Sequence, residues 1–143
     1  MNKLQRMEIK AEAGASFSHT FRFTQADVER FAEVTGDNNP LHLDEGFAAG
    51  TPFKRPIIHG MLGASIFTKV LGTIYPGFGS VYLAQTLEFQ RPMFVDTDYE
   101  AVFTIESIDP VRHIAEIRGE IKNRETGKKC TTGIARLMNT EKF

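Results

Sequence analysis

The chain has 143 residues, of which 41% are hydrophobic and 24% are charged, a balance typical of one soluble globular domain. Its formal net charge is -1, so no basic surface of the kind that binds nucleic acid or anionic lipid is expected. The single cysteine, Cys130, excludes an intramolecular disulfide and a zinc site built from cysteines.

Two stretches are candidates for targeting or anchoring segments, and neither has the required pattern. Residues 1–15 are interrupted by charged side chains and lack the apolar core of a secretory signal. The apolar stretch 57–71 contains His59 and Lys69 and is shorter than the roughly 20 apolar residues of a membrane span. We therefore expect a cytoplasmic protein with no membrane partner.

The beginning of the chain predicts a strand followed directly by a helix. Polar and apolar residues alternate over 16–23, which is typical of a half-buried strand. Thr24 with Asp27 three residues later forms the pattern of a capping box, and Gly36 is a helix terminator. A short amphipathic helix is therefore expected between Thr24 and Gly36.

A loop and two further helical segments follow. Pro40 biases Asn39 away from helical backbone angles, so 37–40 is expected to form a loop. A short helical turn is expected over 44–50. Residues 57–72 are apolar nearly all round the helical circumference, which predicts a helix enclosed by other structure.

The second half of the chain changes to the period of strands. Apolar and polar residues alternate in four segments, which are 81–89, 99–108, 112–121 and 130–138. Hairpin-like turns are expected between the last three segments. This order predicts an α+β domain spanning 1–143, in which 1–15 is an N-terminal extension and an antiparallel sheet covers the central helix 57–72.

The most informative segment is 31–42, which reads FAEVTGDNNPLH, together with RPIIHGM at 55–61. These segments resemble the signature of the MaoC-like or (R)-specific enoyl-CoA hydratases. The resemblance extends over essentially the whole chain from about Ser16. The matching positions are Phe31, Thr35, Gly36, Asp37, Asn39, Pro40, Leu41, His42 and Ala48.

The resemblance implies a hot-dog fold, in which an antiparallel sheet wraps around a long helix, and usually a homodimer. It also implies addition of water across a trans-2-enoyl thioester to give the (R)-3-hydroxyacyl product, or the reverse dehydration. Asp37 and His42 take the catalytic positions of the motif. The expected substrate carrier is coenzyme A or acyl carrier protein.

The chemistry requires residues that the motif contains. A base must take a proton from water as its oxygen attacks C3, and hydrogen-bond donors must stabilise the enolate oxygen. We predict Asp37 as the main base and His42 as its partner. The backbone N–H of Gly60 at the start of the central helix is the candidate oxyanion donor, with His59 and Asn39 as further substrate-binding candidates.

Weaker predictions concern the two ends of the substrate. Phe67, Val70 and Leu71 on the central helix are candidates for the acyl pocket. Coenzyme A would be part of the substrate, so no separate cofactor and no metal is expected. Cations available for its phosphates are Lys54, Arg55, Lys69, Arg91, Lys122, Lys128 and Lys129.

Structural roles compete with these assignments. Asp37 after a helix-ending glycine is also typical of an Asx-turn. His59 could line the pocket or satisfy polar groups at the helix start, and Phe67, Val70 and Leu71 could simply pack in the core. Asp37, His42 and His59 would also fit a two-His-one-carboxylate metal set, supported by residue identity alone.

Two other functions compete with hydration. The first is a hot-dog thioesterase, which commonly has a carboxylate on the central helix, whereas 57–72 contains no Asp or Glu. The second is a non-catalytic module that binds an acyl thioester or an acyl carrier. Such a module has no need of the Asp37 and His42 pair.

Overall fold

The computed structural model describes residues 9–143; residues 1–8 of the predicted N-terminal extension lie outside the described residues. Within residues 9–143, four helices and six strands occur in the order β1, α1 to α4, β2 to β6. The helices are α1 (Gln25–Thr35), α2 (Pro40–Leu43), α3 (Glu45–Ala49) and α4 (Gly60–Thr73). The strands are β1 (Ser16–Phe21), β2 (Val81–Gln85), β3 (Glu88–Phe89), β4 (Tyr99–Asp109), β5 (Ile114–Asn123) and β6 (Lys129–Met138).

One antiparallel sheet contains all six strands. The strand order is β1-β4-β5-β6-β2, and β3 pairs with β6 beyond the end of β2. Buried side chains of β1, β4, β5 and β6 form one apolar cluster with the buried face of α4. The α+β prediction and the hot-dog fold that the resemblance implies are both confirmed.

The capping residues define α1 as the sequence predicts. The Thr24 hydroxyl accepts from the Asp27 N–H at 3.2 Å, and the Asp27 carboxylate accepts from the Thr24 N–H at 2.9 Å. Gly36 ends the helix with φ 80° in the left-handed region, where glycine has no steric penalty. Asp37 is thereby placed in the loop directly after α1.

The central helix is close to its predicted position. It begins at Gly60 rather than near 57, because the backbone of Ile58 is held in an extended segment by a hydrogen bond from its N–H to the Met93 carbonyl at 2.8 Å. Among the described residues, no helix has the length and apolar character needed to cross a bilayer.

Three strand predictions differ from the structure, the first because β1 ends at Phe21 rather than at 23. The predicted strand 81–89 is interrupted at Thr86, whose carbonyl oxygen lies 2.0 Å from where Gly133 would carry a Cβ. The fifth strand begins at Ile114 rather than at 112, since the Asp109 carboxylate accepts from the N–H groups of Val111 and Arg112 and forms a turn there.

Close contact between α4 and the sheet depends on the missing side chain of Gly119. A Cβ at this position of β5 would lie 2.4 Å from the ring of Phe67 on α4 and 2.9 Å from the ring of Phe103 on β4. The two rings meet edge to face with centroids 5.4 Å apart. Gly119 is therefore the point at which the sheet admits the largest side chain of α4.

Replacing Gly119 by alanine should lower the free energy of unfolding by about 1–3 kcal/mol, because the added methyl overpacks the core against Phe67. Urea denaturation followed by circular dichroism measures the change. The control is Glu116→Ala on the exposed face of the same strand, expected to stay within about 0.5 kcal/mol of wild type. Equal stabilities of the two variants would contradict this packing argument.

Candidate active site

A cavity of about 500 Å³ lies beside the first turn of α4. The loop after α1, the segment that precedes α4 and the segment from β3 to Met93 enclose it. Its polar lining residues are Asp37, His42, His59, Gln90, Arg91 and Thr131, and the apolar ones are Phe53, Ile57, Ile58, Met61, Phe89, Pro92 and Met93. Apolar walls with a few polar groups are typical of a small-molecule site.

Asp37 presents its carboxylate from the loop after Gly36. One carboxylate oxygen accepts the N–H of Asn39 at 3.3 Å, so the Asx-turn that the sequence allowed is present. The other oxygen has no hydrogen-bond partner in the part of the chain that the structure describes. Asp37 is exposed and lines the cavity. The Asx-turn therefore orients this carboxylate and leaves one of its oxygens available to a ligand.

His42 lies on the short helix α2 and is only 8% exposed. Its Nδ1 is 2.7 Å from the carbonyl oxygen of Ile57. A carbonyl can only accept, so Nδ1 carries the hydrogen and donates it. The ring therefore leaves Nε2 as the nitrogen that can exchange a proton at the cavity.

His59 lies directly before α4 and is 2% exposed. Its Nε2 donates to the backbone carbonyl of Asp37 at 3.0 Å, and its side chain does not cap α4. The ring stacks on that of His42 with centroids 3.9 Å apart and planes 30° apart. Phe31 packs on the His59 ring at 4.7 Å.

The three polar side chains converge at one point of the cavity. One nitrogen of each ring and a carboxylate oxygen of Asp37 all lie within 4.8 Å of one another. A single water can bridge groups at this spacing with hydrogen bonds of about 2.8 Å. The arrangement can therefore hold a water between Asp37 and His42.

The same donor set is also a candidate for a metal ion. Imidazole ligands bind through lone pairs in the ring plane, whereas the rings of His42 and His59 stack face to face. Both rings would have to tilt apart before their lone pairs could meet at one ion. The geometry thus fits a bridging water better than a metal.

Gly60 is the first residue of α4 and lines the cavity. The first N–H groups of a helix have no intrahelical partner, and no side chain caps this helix. A Cβ on Gly60 would lie 2.9 Å from the ring of Phe89. Glycine therefore lets the Phe89 ring lie directly over the helix start while the backbone N–H stays available to a ligand.

Two groups of predicted site residues lie elsewhere. Asn39 does not line the cavity; its side-chain oxygen accepts from the Leu41 N–H at 3.1 Å and caps α2. The acyl-pocket candidates do not line it either, because their side chains point into the sheet and are at most 2% exposed; they are Phe67, Val70 and Leu71. The apolar side chains at the cavity come instead from Met61 in the first turn of α4, from the segment before α4 and from the segment that runs from β3 to Met93.

The sequence reasoning did not single out Phe89 and Met93. The sequence signal near them is Pro92, which interrupts strand alternation three residues after Phe89 and directly before Met93. Among the seven cations proposed for phosphates, the cavity lining contains Arg91 alone. Arg91 is exposed, and one of its guanidinium N–H groups donates to the Lys129 carbonyl at 2.8 Å.

Cys130 lies next to the cavity lining, where its carbonyl accepts from the N–H groups of the lining residues Gln90 and Arg91. The thiol is buried, and burial raises its pKa. A thiol with a raised pKa is a poor nucleophile, so the reactive groups of the cavity are the carboxylate and the imidazoles.

Comparison with known proteins identifies the family. The model of the MaoC like domain matches residues 7–129. The (R)-specific enoyl-CoA hydratase of Aeromonas caviae is 44% identical over 124 residues, which cover 87% of this chain and 92% of that protein. The (R)-specific enoyl-CoA hydratase of Rhodospirillum rubrum is 35% identical over 111 residues, covering 78% and 76% respectively.

The solved structure of the (R)-hydratase from A. caviae involved in PHA biosynthesis has a TM-score of 0.85 and 41% sequence identity to this chain. The match covers 90% of this chain and 96% of the other. The protein therefore belongs to the MaoC-like domain family, and the resemblance inferred from the motif is confirmed.

Proposed function

We propose that this protein is a hydratase that interconverts trans-2-enoyl-CoA and (R)-3-hydroxyacyl-CoA. One observation carries the proposal: a carboxylate oxygen of Asp37 and a ring nitrogen of His42 lie within 4.8 Å of each other. They do so in a largely apolar cavity beside the uncapped first turn of α4. Relatives named as (R)-specific enoyl-CoA hydratases support the reaction and its stereochemistry.

In the proposed mechanism, Asp37 and His42 hold one water and activate it together. The Asp37 carboxylate accepts a proton from this water as the water oxygen bonds to C3. The Nε2 of His42 hydrogen-bonds to the same water, since Nδ1 is held by the Ile57 carbonyl. The acid-base pair then delivers a proton to C2, so one O–H bond and the C2=C3 π bond are broken, and one C–O and one C–H bond are formed.

The negative charge of the intermediate enolate develops on the thioester oxygen. We propose that the Gly60 N–H at the positive end of α4 donates to that oxygen. Losing one well-aimed donor of this kind typically costs about 3–4 kcal/mol in the transition state. In this proposal Asp37, His42 and Gly60 supply the acid-base and oxyanion groups, and the reaction uses no metal or separate cofactor.

A homodimer is part of the proposal. The strand β2 is an edge of the sheet and exposes Val81, Tyr82 and Leu83 at 53%, 37% and 42%. A second copy of the chain pairing along this edge would cover these apolar side chains and satisfy the free backbone groups of β2. We further propose a cytoplasmic enzyme that serves fatty acid metabolism.

The catalytic roles predict that Asp37→Asn and His42→Asn each lower the kcat for hydration of crotonyl-CoA by roughly 10²- to 10⁴-fold. Both replacements preserve local structure, because the amide oxygen at position 37 can still accept from Asn39 and an asparagine amide at position 42 can still donate to Ile57. Loss of the enoyl-thioester absorbance measures the rate, and a stereospecific 3-hydroxyacyl-CoA dehydrogenase assigns the product.

The matched control is Asp44→Asn. Asp44 is an exposed carboxylate that caps α3, and asparagine caps equally well, so full activity is expected. Free thiol is assayed in parallel, because its release by wild type would indicate a thioesterase. A folded wild type that hydrates neither crotonyl-CoA nor a longer enoyl-CoA would contradict the proposal.

The position of Arg91 predicts a contribution to binding of the carrier. Arg91→Gln should raise the KM for crotonyl-CoA by about two- to fivefold. The reason is that an exposed ion pair between a guanidinium and a phosphate contributes about 1 kcal/mol or less to the binding free energy. The KM for crotonyl-pantetheine, which lacks those phosphates, should not change. Arg112→Gln, in the turn between β4 and β5, is the control, and an equal effect on both thioesters would contradict this role.

A further inference from the structure

The His59 ring has contacts that the proposed reaction does not by itself require. Its Nε2 donates to the Asp37 carbonyl at 3.0 Å, which fixes the hydrogen of the ring on Nε2. The other nitrogen, Nδ1, is buried and has no hydrogen-bond partner in the described part of the chain. Nε2 therefore bonds to protein backbone, whereas Nδ1 makes no hydrogen bond to the described residues.

The His59 ring also contacts two other aromatic rings. Phe31 of α1 packs at 4.7 Å and His42 of α2 stacks at 3.9 Å. Because His59 is 2% exposed and contacts both rings, its side chain has little freedom to rotate. The ring thus touches the helix before the Asp37 loop and the helix after it.

The segment that contains His59 also orients His42. The Ile57 carbonyl, two residues earlier, accepts the Nδ1 hydrogen of His42 at 2.7 Å. Ile57 thus positions one member of the catalytic pair, and His59 positions the backbone of the other. These two bonds are made by one short extended segment, which α4 anchors immediately afterwards.

We propose that His59 is a positioning residue whose Nε2–H holds the Asp37 loop while its ring face supports His42. The inference rests on the proposed function for the reaction that it assists. It replaces the role in substrate binding that the sequence suggested for His59. The atom that matters is Nε2, because Nε2 bonds to the protein, whereas a substrate contact would have to use Nδ1.

Two amide variants separate these roles. Glutamine places its amide nitrogen near the position of Nε2, whereas asparagine places its amide near Nδ1. We expect His59→Gln to retain kcat for crotonyl-CoA within about threefold, and His59→Asn to lose roughly 10²-fold, the cost typical of a misplaced catalytic group. The KM should stay within about twofold in both variants, since substrate contacts are unchanged.

The opposite pattern would overturn the proposal. If His59→Asn is more active than His59→Gln, or if the KM rises while kcat is unchanged, His59 contacts the substrate through Nδ1. Circular dichroism confirms that each variant is folded. If the asparagine variant does not fold, retention of kcat in the glutamine variant supports the proposal, and a 10²-fold loss of kcat there overturns it.

A measurement that needs no activity distinguishes failure of this inference from failure of the hydratase proposal. In ¹⁵N-labelled wild type, the imidazole NMR signals should show the hydrogen of His59 on Nε2 and that of His42 on Nδ1. These tautomers in a protein without hydratase activity would support the positioning role and refute the reaction. A hydrogen on Nδ1 of a neutral His59 would overturn the positioning role whatever the activity.

Discussion

The candidate active site depends on two hydrogen bonds in which imidazole N–H groups donate to backbone carbonyls. His42 donates to Ile57 and His59 donates to Asp37, so each ring has one nitrogen committed to the protein. Buried polar groups left without partners typically cost about 1–3 kcal/mol each, so these bonds also make burial of the two rings possible. The same two hydrogen bonds therefore set the geometry of the reactive groups and stabilise the buried rings.

The fold brings the participants together from separate parts of the chain. Gly36 ends α1 and releases the Asp37 loop, while α2 carries His42 back toward the segment that starts α4. The α4 helix is held by the apolar cluster of the sheet, to which Gly119 admits Phe67. Rigid packing on that side fixes the helix start, where the free N–H of Gly60 meets the cavity.

Local sequence signals predicted much of this structure. The capping box of Thr24 and Asp27, the termination at Gly36 and the four long segments of alternating polarity each have a short-range physical cause. The motif placed Asp37 and His42 at one site. The contact of His59 with the Asp37 carbonyl joins residues 22 positions apart and has no local signal.

Periodicity also indicates that a side chain is buried without indicating what covers it. For this reason the sequence predicts an acyl pocket at Phe67, Val70 and Leu71, whereas the structure packs these side chains against the sheet. The interruption at Thr86 likewise lies at a tertiary contact, where the Thr86 carbonyl closely approaches Gly133 of β6. Such contacts follow from tertiary packing.

The central claim is that Asp37 and His42 act on one water as a unit. A double-mutant cycle tests it most directly, with kcat/KM for crotonyl-CoA measured in wild type, Asp37→Asn, His42→Asn and the double variant. Residues that act as a unit give strongly non-additive losses, so the double variant should be about as slow as the slower single variant. Losses that multiply would contradict the shared water and show two independent roles.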